Sequence, residues 1–122
     1  NVLRLLQSWG YNDPSLMAAA LLHDVGKSRF PFSIWDRTLV VLVRAVMPDR
    51  ARAWGSAERM GWRRPFVVSY QHPRWSADMA AGAGADPLAV ALIADHQMKL
   101  DHAPVTPTEK LLSALQQADN LN

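Results

Sequence analysis

The sequence predicts an all-α fold, a single-domain bundle of six or seven helices, and three observations lead there. Ala, Leu, Met and Gln dominate most segments, while strand formers are not grouped in alternating runs. Helix-start signals recur at Asp13-Pro14, at Asp86-Pro87, and at Thr106-Pro107 with Glu109 three residues after the threonine. Apolar residues also return at helical spacing, as at Val2, Leu3, Leu5, Leu6 and Trp9. The chain has 122 residues, 49% of them hydrophobic, which suits one domain with its own core and excludes a disordered tail.

The elements follow in order. Residues 1–10 read as a first helix closed by Gly10, and "NDPSLMAAALLHDVGK" as a second that runs to a C-cap at Gly26. A third spans about Ser33 to Met47 and stops at Pro48. Its run "TLVVLVRAVM" (38–47) is rich in β-branched residues, so a strand competes, but its length and the lack of a hairpin signal favour helix. The run is about half a membrane span and carries Arg44, so it reads as a core helix, with an amphipathic membrane-surface anchor as the lesser alternative. Residues 49–71 suggest one or two short helices plus "GWRRP". "HPRWSADMAAGAG" starts another helix with Pro73 in its first turn, and two more open at Asp86-Pro87 and Thr106. The five tryptophans are assigned to the core and to helix packing, with Trp62 and Trp75, which flank basic residues, as candidates for a pocket rim. No repeat, low-complexity tract or linker divides the chain.

Thirteen Lys and Arg against eleven Asp and Glu give a formal charge of +2, which suits a small anionic ligand and does not demand nucleic acid. The basic residues are scattered apart from "RMGWRRP" (59–65). That cluster reads as a solvated loop, with a phosphate-facing patch or nucleic-acid contact as weaker alternatives. The absence of cysteine excludes disulfides, thiolate metal sites and a cysteine nucleophile. With no secretory signal visible, a cytoplasmic location is expected. The chain opens at Asn1, in mid-helix and without methionine, so an upstream segment is expected too.

Helical phase singles out the residues with chemistry to do. On a helix over 13–25, His23 shares a stripe with Leu16, Ala19 and Ala20, and Asp24 shares one with Met17, Ala20 and Leu21. A carboxylate among apolar neighbours is costly unless neutralised, and a cation held jointly by His23 and Asp24 removes that cost. Asp119 falls one turn beyond Leu115 and two beyond Leu111 and Leu112, on the inward stripe of its helix. His96 follows Leu92, Ala89 and Leu88 at inward spacings, and His72 stands at a helix start before Pro73. Asp95 is a lesser ligand candidate, and His102, beside Asp101 in a loop, is expected to face solvent. Oxygen and nitrogen donors without sulfur point to Mn²⁺, Fe²⁺, Mg²⁺, Zn²⁺ or Ni²⁺, one or two per chain. Such an ion activates water and polarises the bond under attack. Lys27, just past the His-Asp pair, suits a phosphate oxygen as a point charge.

These residues carry a family resemblance. "LLHDVGK" (21–27) resembles the signature of the HD superfamily of metal-dependent phosphohydrolases. "QHPRWSADMAAGAG" (71–84) is similar to a His-Pro helix start in its bacterial members, "ALIADHQ" (91–97) to an "LI-x-x-HH" segment, and "LLSALQQADN" (111–120) to the helix bearing the last ligand aspartate. Order and spacing agree over about residues 20–120. The resemblance implies a helical bundle with a central metal site, His23, Asp24 and Asp119 as ligands, and Lys27 near the substrate phosphate. It also implies His72 and His96 around a second metal, with Asp24 bridging. The activity implied is cleavage of a phosphate ester, of a nucleotide or a phosphorylated metabolite, with Arg63 or Arg64 joining Lys27 on the phosphoryl oxygens. A regulatory domain that binds metal or nucleotide without turnover is the alternative. The sequence departs from the pattern in three places. No histidine precedes His23, and the family spacing puts that ligand just upstream of Asn1. Asp95-His96 stands where many relatives have two histidines. "DHAPVTP" (101–107) replaces the "GYP" segment of the cyclic-di-GMP phosphodiesterases, so that substrate is not predicted.

Overall fold

Capping and apolar spacing generate seven α-helices and, among the described residues, no strand. The computed structural model covers residues 1–122 and describes all of them except Pro31 and Arg59. Arg59, the first member of the basic cluster 59–65, therefore lies outside the described residues. The helices are α1 (Val2–Ser8), α2 (Pro14–Leu22), α3 (Ile34–Val46), α4 (Pro48–Gly55), α5 (Arg64–Gly82), α6 (Pro87–Asp95) and α7 (Pro107–Leu121), with 3₁₀ segments at Val25–Arg29 and Gly61–Arg63. The all-α expectation is met.

Side chains close the orphan backbone donors at the predicted starts. Asp13 accepts from the Leu16 N–H, and Asp86 from those of Leu88 and Ala89. Thr106 and Glu109 form a reciprocal capping box. Ser33 and Asp36 form a second box at the start of α3. Gly10, at φ +87°, takes the left-handed conformation that turns the chain after α1.

The helices sort into two compact units, residues 1–26 with 73–122, and residues 27–72. The divisions fall inside the first 3₁₀ segment and inside α5. In the first unit Leu6 of α1, Leu16 and Ala19 of α2, Ala77 and Ala80 of α5, Leu92 and Ile93 of α6, and Leu112 and Leu115 of α7 bury one shared core. Much of it is alanine, so the helices approach closely. In the second unit Val40, Ala51 and Phe66 are buried, with Phe32, Val43 and Trp54 packed against them. The Trp54 ring meets Phe66 and Trp62 edge-on at 5.1 and 4.9 Å. Gly55 lets α4 press on α5, and its carbonyl accepts from Gln71 Nε2 at 2.9 Å.

Four expectations are corrected. Helix α2 ends at Leu22 rather than Gly26, because the Gly26 N–H that a longer helix would send back to Leu22 donates instead to Ser76 Oγ at 2.8 Å. Gly26 is not among the positive-φ glycines. Pro73 lies inside α5, not in its first turn. The carbonyl of Ser69, which a proline at 73 cannot serve, accepts instead from His72 Nδ1 at 3.0 Å. Residues 38–47 are not a core helix: only Val40 of α3 is buried, while Val41, Leu42 and Val46 are exposed. The tryptophans are not buried in the core either, since Trp9, Trp35 and Trp62 are exposed and Trp54 and Trp75 half-buried. Apolar composition predicts that a face seeks cover, but it does not say whether this chain supplies the cover.

The close approach at Gly55 yields a test. A Cβ there would meet Tyr70 Cβ at 2.6 Å and the Phe66 carbonyl at 3.1 Å, atoms held by helix backbone. Gly55→Ala is expected to destabilise the protein by about 1–3 kcal/mol, read as a lower denaturation midpoint in urea.

Candidate metal centre

The end of α2 places the first two residues of the site. His23 is its C-cap and is buried, its Nδ1 donating to the Ala20 carbonyl at 3.0 Å. A carbonyl only accepts, so this bond assigns the proton to Nδ1 and leaves Nε2 as the outward-facing nitrogen. Nε2 lies 3.3 Å from Asp119 Oδ1 and 3.7 Å from Asp24 Oδ2. The three side chains each offer one ligand atom, and all these atoms lie within 4.8 Å of one another. Both carboxylates are half-buried. Asp24 is thus less enclosed than a helix through residue 25 would make it, because the α-helix ends at its cap, His23.

Asp119 comes from the last turn of α7, inward as its phase predicts, next to buried Leu115 and Ala118. His96 is the C-cap of α6. It is buried, its Nδ1 donates to the Ile93 carbonyl at 2.7 Å, and its ring meets that of His23 edge-on at 5.1 Å. Three helix ends of the first unit therefore converge on His23, Asp24, His96 and Asp119. The hydrogen bond from Gly26 to Ser76, a fully buried serine of α5, pins the turn behind the His-Asp pair. Sequence reasoning missed Ser76. Its signal was modest, a small polar residue four positions after His72 in an otherwise apolar stripe.

The electrostatics match this geometry. Burial, the largest single influence on His23, disfavours its charged form. The hydrogen bond to Asp119, the charges of Asp24 and Asp119 and the Ala20 carbonyl together outweigh it, and the pKa is raised above the ordinary 6.5. Asp119 is held below the usual carboxylate range, first by its hydrogen bond to His23, against the opposing effect of burial. Nε2 and two carboxylates are all electron-pair donors, so they tolerate this proximity only with a positive charge among them. A proton on Nε2 supplies one, and a divalent cation supplies one shared by all three. The donor set, one imidazole nitrogen and two carboxylate oxygens, fits the divalent ions expected from the sequence.

The remaining candidates have their own settings. His72, buried on α5 in the second unit, donates from Nδ1 to the Val68 and Ser69 carbonyls, both at 3.0 Å. It therefore shares the tautomer of His23 and His96. Lys27 lines a groove of about 430 Å³ in the second unit, with Ser28, Phe32, Ser33, Ile34 and Arg37. Arg64 lies 3.4 Å from Asp36, and the Arg63 guanidinium lies over the Trp62 ring at 5.1 Å. Asp95 is half-buried, with its backbone carbonyl accepting from the Met98 N–H. His102 is exposed as expected, 3.8 Å from Glu109. Among the described residues no helix is long and apolar enough to cross a membrane.

Comparison with known proteins gives one result. The model of the HD domain matches residues 1–122, the whole chain. No curated protein and no solved structure matches it. Members of that family are generally metal-dependent hydrolases, and the His-Asp pair at the end of α2 with the aspartate of α7 is where the sequence resembled them. The chain belongs to the HD-domain family.

Proposed function

We propose that this chain is a metal-dependent phosphohydrolase that cleaves a phosphate ester of a nucleotide or phosphorylated metabolite. One observation carries the reading: His23 gives its Nδ1 proton to Ala20 and turns Nε2 toward Asp119 and Asp24. His23, Asp24 and Asp119 would hold one divalent ion. Asp24 would also serve a second ion, with His96 of the same unit as an imidazole donor.

A bound divalent ion supplies Lewis acidity at the phosphoryl group and lowers the pKa of water. The chain's residues do the rest. The Ala20 carbonyl keeps His23 in the ligand tautomer, and the Gly26–Ser76 hydrogen bond holds the backbone of the turn, so the donors need no rearrangement. Asp24, the more exposed carboxylate, is positioned to take a proton from attacking water. Lys27, with Arg63 or Arg64, would hold the phosphoryl oxygens and balance the charge that develops on them. A regulatory domain without turnover remains the second reading, favoured by Asp95, which stands where many relatives carry another histidine.

Two predictions test the reading. Asp24→Ala and Asp119→Ala are each expected to keep native helicity by far-UV circular dichroism. Each should lose its metal by elemental analysis and cut phosphatase turnover by about 100-fold or more. A variant that retains full turnover would refute the mechanism. Metal that stays bound in the wild type without turnover on any phosphorylated metabolite would favour the regulatory reading.

The second concerns pH. A raised pKa at His23 means that the proton and the metal compete for Nε2. Apparent metal affinity should therefore fall about tenfold per pH unit as pH drops below the raised value. In metal-free protein the sign reverses for stability. The contribution of protonated His23 is complete below 6.5 and disappears as pH rises through the folded pKa. That of Asp119 is complete above 3.8 and is lost as pH falls through its depressed value. Thermal melts in chelator should weaken on the alkaline side, and His23→Gln should remove that dependence.

A further inference from the structure

Among the described residues, the apolar side of helix α3 has no partner. On a helical projection Val41, Ile34, Leu42, Trp35, Val46 and Leu39 form an arc of about 160°, along about 20 Å of helix. All six are exposed: Ile34 and Trp35 at 82%, Val46 at 77% and Leu42 at 59%. Arg37 and Arg44 follow one another two turns apart along one edge of the arc, and both are exposed. The opposite side carries the anchoring contacts, with Val40 buried and Val43 and Asp36 partly so. An apolar arc this wide costs solubility unless something covers it.

Charge indicates what the cover is. Residues 27–72 contain nine Lys and Arg against three Asp and Glu, a formal +6. Residues 1–26 with 73–122 contain four against eight, a formal −4. The modest net charge of the whole chain hides this separation. The unit that exposes the apolar arc is therefore the strongly cationic one. A second copy would set +6 against +6 across a self-paired face, which is repulsive. An aromatic and aliphatic arc edged by arginine, with a tryptophan in the first turn, is the pattern of a helix lying in a bilayer interface.

We propose that α3 is a membrane-surface docking helix, and that its occupant is an anionic lipid bilayer. The helix lies in the plane of the interface, with Trp35, Leu42 and Val46 among the headgroups and upper acyl chains. Arg37 and Arg44 face the lipid phosphates. The inference does not rest on the metal centre, so the two readings stand or fall separately.

Vesicle binding by the full chain tests it. The protein should co-sediment with equimolar phosphatidylcholine and phosphatidylglycerol vesicles and not with phosphatidylcholine alone, and salt should weaken the binding. Brominated acyl chains should quench a fluorescence component that Trp35→Phe removes. Leu42→Glu changes a residue already in solvent, so circular dichroism should be unchanged while binding falls at least about tenfold. Arg44→Glu should weaken it about fivefold or more. Failure to bind the mixed vesicles at low salt would overturn the proposal, as would equal binding to neutral vesicles. So would binding with Trp35 unquenched, or a solution dimer that Leu42→Glu converts to monomer.

Discussion

The imidazole of His23 gives its Nδ1 proton to the carbonyl of Ala20, and that hydrogen bond decides what the rest of the site can be. With Nδ1 committed, only Nε2 is left to face Asp24 and Asp119. Two carboxylates and an imidazole lone pair then share a space that only positive charge makes tolerable. The folding of the first unit is arranged around this constraint. Beyond the end of α2 the Gly26 N–H goes to Ser76, and the last turn of α7 brings Asp119 to the same place. His96 repeats the device at the end of α6, and His72 repeats it in the middle of α5. The three histidines share one tautomer, each fixed by the carbonyls of its own helix.

How much of this was legible in the sequence depended on how regular the local helix was. Asp119 sits on a fifteen-residue helix with a capping box, so its phase carried through and its inward position was correct. His23 was placed correctly because the C-cap still has helical dihedrals. Asp24, one residue further, was less enclosed than expected because the backbone had left the helix, and periodicity gives no warning of that. The turn itself depends on Ser76, fifty residues away in sequence, and no local pattern encodes such a contact. The apolar run of α3 was legible as a helix but not as an exposed one, since composition reports the need for burial and not its source.

Charge shows the same limit. A total of +2 describes neither unit, because the cations and the anions were sorted by a division that the sequence does not mark. One half carries the acidic residues that suit a cation site. The other carries the exposed apolar helix and most of the arginine. The chain therefore presents two surfaces of opposite electrostatic character, and ionic strength will affect them differently.

Pro73 has a consequence beyond the course of α5. A proline in mid-helix withdraws one amide hydrogen, and the acceptor it abandons, Ser69 O, lies next to the ring nitrogen of His72. The imidazole becomes the deputy for a missing main-chain group, and its prototropic form is settled by the covalent order of two neighbours. An ordinary amino acid at 73 would restore a rival donor for Ser69 O and leave the ring with its bond to the Val68 carbonyl. The adjacency of these two residues is thus a chemical instruction written in the primary structure, one that preorganises a nitrogen lone pair without any distant side chain.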